Sequence, residues 1–95
     1  MRVEWRPRAT EDLDEIVDHI AVESPNTALI VLDRIKRRIA MLADQPLLGR
    51  PGRVSGTREL VINRTPYLAA YRVMDERVVI LNIVHGARRW PLGFG

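Results

Sequence analysis

The stretch Arg58–Pro91, RELVINRTPYLAAYRVMDERVVILNIVHGARRWP, decides the fold. Two apolar runs, Tyr67–Met74 and Arg77–Val84, face each other across Asp75-Glu76, and a shorter run, Arg58–Ile62, precedes them. Tyr67, Ala69, Tyr71 and Val73 share one face of the middle run, and Leu68, Ala70, Arg72 and Met74 share the other, as strand periodicity requires. Val78 to Val84 is almost continuously apolar, broken by Asn82, which marks a strand covered on both faces. A three-stranded meander needs a helical layer over its apolar face. The stretch ends in a polar cluster, His85, Arg88, Arg89 and Trp90, the place to look for function.

The preceding chain supplies the layer. Arg2–Trp5 alternates and reads as a strand joining the meander. Pro7 ends it and suits a helix start. From Arg8 to about Val22, Ala9, Leu13, Ile16, Val17 and Ile20 form one stripe, with Glu11, Asp12, Asp14, Glu15 and Asp18 on the other faces. Ser24 reads as an N-cap, with Pro25 at the first position of a second helix reaching about Ala43. Ala28, Leu32, Ile35, Ile39 and Leu42 form its seam. Its other side mixes Arg34, Lys36, Arg37 and Arg38 with Leu29, Ile30, Val31 and Met41, which fits either a wide core stripe or a partner surface. The segment 44–57, DQPLLGRPGRVSGT, reads as a long loop.

Ninety-five residues make one domain with one core. The 46% apolar and 28% charged content belongs to a folded protein. The absence of cysteine excludes disulfides and thiolate chemistry. Two histidines far apart offer no zinc site, and no metal or cofactor is expected. No run approaches the ~18 apolar residues of a membrane span, so a cytoplasmic protein without a membrane partner is expected. Residues 1–33 hold three Arg against eight acids, whereas residues 34–95 hold twelve Lys or Arg against four. All but one of the basic residues are Arg. Arg grips phosphate and carboxylate bidentately, so a nucleic-acid surface, an acidic peptide partner and an Arg-preferring genome all fit this bias.

Four words, in order, carry a resemblance. RPRATEDLDEIVDHI is similar to A-x-x-D-L-x-x-I, and PLLGRPGRVSGTREL to P-x-x-G-R-x-G-R-x-x-G-T-R-E-L. PYLAAYRV is similar to P-Y-x-x-x-Y-R-V, and ILNIVHGARRWP to I-L-x-V-x-H-x-x-R-x-W-P. The whole chain thus resembles the RelE/ParE superfamily of toxins from bacterial toxin–antitoxin pairs, closer to the ParE branch in its GTREL and HGAR words. The resemblance implies an α+β fold: an N-terminal strand and an αα-hairpin packed on an antiparallel β-sheet, β-α-α-β-β-β, over residues 1–95. It implies a cognate antitoxin, a hetero-oligomer with it, and one of two targets. ParE-type members inhibit DNA gyrase; RelE-type members cut mRNA on the ribosome.

Fold alone does not choose between these activities. Metal-free RNA cleavage needs a base, an acid and charge stabilisation. RelE-like nucleases resemble one another in a strand Arg within Y-R-L-V-Y. Here, aligned on Tyr67 and Tyr71, Leu68 stands at that position. The Lys-rich RelE site has no counterpart, because Lys36 is the only lysine. If the chain is a ribonuclease, the resemblance points to His85, Glu59, Arg72 and Arg88. Otherwise no catalytic residue is expected, and Arg58, Arg72, Arg88, Arg89 and Trp90 are expected to meet partners. Glu59 is equally expected to pair with Arg58 or Arg72 on the strand surface, and Trp90 to cover the sheet.

Overall fold

A computed structural model describes residues 1–86. The chain runs β1 (Arg2–Trp5), α1 (Pro7–Glu23), α2 (Pro25–Ala40), a 3-10 turn at Met41–Ala43, β2 (Arg50–Pro51), β3 (Arg58–Val61), β4 (Tyr67–Met74) and β5 (Arg77–His85). One sheet holds all five strands in the order β1-β5-β4-β3-β2. This is the expected α+β architecture, with two differences in the sheet. It is mixed rather than wholly antiparallel, because β1 runs parallel to β5, Val3 opposite Val78 and Trp5 opposite Ile80. Parallel neighbours need a long connection, and the helices and meander between β1 and β5 provide it. The segment read as a loop also contributes a strand, with Arg50 opposite Glu59 and Pro51 opposite Arg58.

The helices begin where the prolines allow. Pro7 and Pro25 occupy first turns, where a missing N–H costs nothing. Ser24 caps α2, its hydroxyl accepting from Thr27 N at 3.2 Å. Ala9 and Leu13 of α1 are buried, while Ile16, Val17 and Ile20 are half-buried. The α2 stripe differs from the expected seam. Val31, expected outside, is buried, and Leu32 is half-buried at the margin. The stripe runs Ala28, Val31, Ile35 and Ile39, which centres the helix over the sheet. Arg34 and Arg38 are not a free basic face either. Arg34 Nη1 donates to Arg64 O at 3.2 Å, and Arg38 Nε to Val61 O at 3.1 Å.

Ile35, Ile39 and Leu42 pack with Leu60, Ile62, Ala69, Tyr71, Val78, Ile80 and Ile83 to form the core. A bulge shapes β5: Ala70 faces Asn82 but Tyr71 faces Ile80, leaving Leu81 as the extra residue. The bulge changes the alternation, so Ile80 and Ile83 both reach the helical side. Val79 and Leu81 are buried as well but lie outside that core cluster, as do Leu68 and Ala70. The strand is therefore covered on both faces, as its unbroken apolar run implies. Asp75 turns the β4–β5 hairpin with φ of 52°, a left-handed conformation that Asp tolerates.

Candidate functional site

The segment between α2 and β3 is held by three β-strand side chains. Tyr71 is fully buried; its hydroxyl donates to Pro46 O at 2.8 Å and accepts from Gly49 N at 2.9 Å. Gly49 is required there. A Cβ would lie 2.7 Å from the Tyr71 ring and 2.8 Å from Glu59 O. Arg58 Nε donates to Gly49 O at 2.9 Å and its Nη2 to Leu47 O at 3.3 Å. Its guanidinium therefore braces this segment as well as standing beside the basic surface.

Glu59 is the third tether and the electrostatic centre. It is 2% exposed, accepting from Arg53 N at 2.9 Å and Arg50 Nη2 at 3.3 Å, with Arg53 Nε at 3.8 Å. The expected strand-surface pairing with Arg58 or Arg72 is replaced by these two arginines of the 44–57 segment, because β2 folds back over β3. Arg72 lies on the same sheet face: Glu59 pairs with Ala70, and Arg72 is two residues further along β4. Arg72 Nη1 is 3.5 Å from the Cβ position of Gly56, at φ of 78°. Arg50 and Arg53 thus engage one buried carboxylate, and Arg72 stands on the same sheet face. The excess is positive, suited to a phosphate or an acidic side chain.

His85 is on the other side of the sheet. It pairs with Tyr67, whose face is that of the buried Ala69 and Tyr71, and the two rings meet edge to face with centroids 5.6 Å apart. It also lines a cleft with residues of α1. Glu59 and Arg72 therefore share a face, while His85 does not join them, and the three do not converge on one reacting group. Leu68, at the position of the nuclease arginine, is 3% exposed. Arg88, Arg89 and Trp90 lie outside the described residues.

Two further features escaped the sequence reading. Asp12, placed there off the apolar stripe, is a helix-to-sheet tie: its Oδ2 accepts from Ile83 N at 3.0 Å and Asn82 Nδ2 at 3.2 Å. The signal was Asn82, the polar break in an apolar strand, which needs a partner wherever the strand is buried. The second is a groove of about 680 Å³ between β1, α1 and α2. Val3, Trp5, Leu13 and Leu32 form its apolar floor, with Asp14, Asp18 and Lys36 at its edge. Among the described residues, no cluster of His, Asp and Glu could hold a metal ion, and no helix is long and apolar enough to cross a membrane.

Comparison with known proteins agrees with this architecture. Residues 3–90 match the family described as the ParE toxin of the type II toxin–antitoxin system parDE. The candidate toxin Y4kP of Sinorhizobium fredii is 41% identical over 90 residues, covering 95% of this chain and 93% of that protein. Toxin RelE2 of Caulobacter vibrioides is 39% identical over 87 residues, covering 92% and 97% respectively. A chain from the solved chromosomal ParDE toxin–antitoxin system of P. aeruginosa superimposes with a TM-score of 0.82 at 34% identity, covering 90% of this chain and 95% of that one. With the β-α-α-β-β-β-β order, the sheet and the family match all in agreement, this chain belongs to the ParE toxin family of type II toxin–antitoxin systems.

Proposed function

We propose that the chain acts by binding DNA gyrase and holding it on cleaved DNA, without catalysing a reaction itself, and that a co-encoded antitoxin neutralises it. The observation that carries this reading is the separation of Glu59 and Arg72 from His85 across the sheet. An acid, a base and a charge stabiliser acting on one phosphate must converge on it. The buried Leu68, standing where the related nucleases carry arginine, supports the same reading. Arg50, Arg53 and Arg72 are the proposed surface for gyrase–DNA or for an acidic antitoxin segment, and Arg88, Arg89 and Trp90, which lie outside the described residues, are proposed as partner-binding residues from their chemistry alone. The apolar groove beside β1 is suited to an amphipathic stretch of the antitoxin. Action in the cytoplasm is the setting this reading requires.

The test is expression without the antitoxin, with thymidine and methionine incorporation followed over the first minutes. An early fall in thymidine with methionine sustained is expected, together with linear plasmid when purified chain, gyrase and ATP are mixed. An early fall in methionine would instead favour a ribosome-dependent mRNA endoribonuclease, and His85→Ala would then abolish toxicity. Under the gyrase reading His85→Ala remains toxic. Arg88→Glu with Arg89→Glu is expected to reduce toxicity at unchanged thermal stability; full toxicity would remove those two residues from the target surface.

A further inference from the structure

A cleft of about 440 Å³ opens between α1 and the end of β5. Its helical wall is a stripe at steps of four and three, Arg8, Asp12 and Glu15; Tyr67, Asn82 and His85 stand opposite. Asn82 is 2% exposed. Its Nδ2 is committed to Asp12, while its Oδ1 is buried and accepts no hydrogen bond from the described residues. Turning the amide over would set that oxygen against the Asp12 carboxylate, so the orientation is determined by chemistry. A buried carbonyl lacking a donor is rare in folded proteins and asks what supplies one. Arg8 does not: it pairs with Asp12, its Nε at 3.4 Å, and makes no hydrogen bond to Asn82. Glu15 forms no ion pair among the described residues. The cleft therefore offers an orphaned carbonyl, an available carboxylate and an aromatic ring, the last held edge to face against His85. With two carboxylates against one engaged arginine, it repels phosphate.

We propose that this cleft receives an arginine side chain of the antitoxin, its guanidinium donating to Asn82 Oδ1 and Glu15 while lying against Tyr67. A guanidinium satisfies both acceptors from one plane and stacks on an aromatic ring, which an ammonium does less well. The assignment rests on antitoxin neutralisation, but the site is testable without the antitoxin. N-acetyl-arginine methylamide is titrated into the full chain while the Asn82 side-chain amide is followed by NMR. A saturable shift is expected, weaker by about fivefold in Glu15→Gln, whose exposed position leaves the fold intact. The citrulline analogue, a neutral isostere, is expected to bind more weakly still. No shift at Asn82, an equal response to citrulline, an unchanged affinity in Glu15→Gln, or tighter binding of guanosine would each overturn the site. In the second arm the antitoxin complex is titrated. Loss of the arginine response is expected; a persisting response would show that the antitoxin leaves the cleft empty and overturn the assignment of the source. Failure of antitoxin binding itself would be visible separately, as free toxin on gel filtration.

Discussion

The Tyr71 hydroxyl satisfies two backbone groups of a segment that has little regular structure of its own. Tyr71→Phe keeps the ring in the core and strands Pro46 O and Gly49 N, so a loss of about 1–2 kcal/mol is expected from urea unfolding. Gly49→Ala should cost more, because the contacts at 2.7 and 2.8 Å involve a buried ring and a backbone oxygen that cannot both move aside. Asp12 acts at the same scale. Asp12→Ala leaves the Asn82 amide and Ile83 N without their acceptor. About 2 kcal/mol should be lost, with faster hydrogen exchange at Ile83 as the local signature. Exchange no faster than in the parent would mean that another group replaces the carboxylate. The hydroxyl's role was not legible in the sequence: Tyr71 read as one of four residues sharing a strand face, but its hydroxyl's partners lie 22 and 25 residues away.

At the scale of elements, the local signals were the most readable. Ser24-Pro25 marked the start of α2, because a cap and a proline act within one turn. Ser24→Ala is expected to cost about 1 kcal/mol, measured by thermal unfolding. The far end of α2 was less clear. The helix stops at Ala40 and tightens into a 3-10 turn, which carries Leu42 into the core. The helix's orientation was legible only to within one residue. Periodicity defined a broad stripe, and the choice between Val31 and Leu32 as the buried position depended on where the sheet lay. Ile35, fully buried at the middle of the stripe, gives a test of the packing. Ile35→Ala should destabilise the protein by about 3 kcal/mol, against less than ~0.5 kcal/mol for Leu29→Ala on the exposed face.

Over the whole molecule, charge is arranged in space and not only by sequence half. The buried Glu59 draws Arg50 and Arg53 to one side, while the acids of α1 line the clefts on the other. The composition showed the arginine excess and its concentration after residue 33, but not that Arg34, Arg38 and Arg58 spend hydrogen bonds bracing loops and strands. The sequence by itself determined the order of the elements other than β2, the Tyr67–Met74 strand, the first-turn prolines and the family, because each follows from short-range periodicity, turn chemistry or contiguous words. Only the tertiary structure decided that β1 lies parallel to β5, that β2 closes over Glu59, and that His85 and Glu59 sit on opposite faces. Those outcomes depend on strand pairing between distant segments and on one bulged residue, Leu81, whose effect on which side chains face the helices no local pattern records.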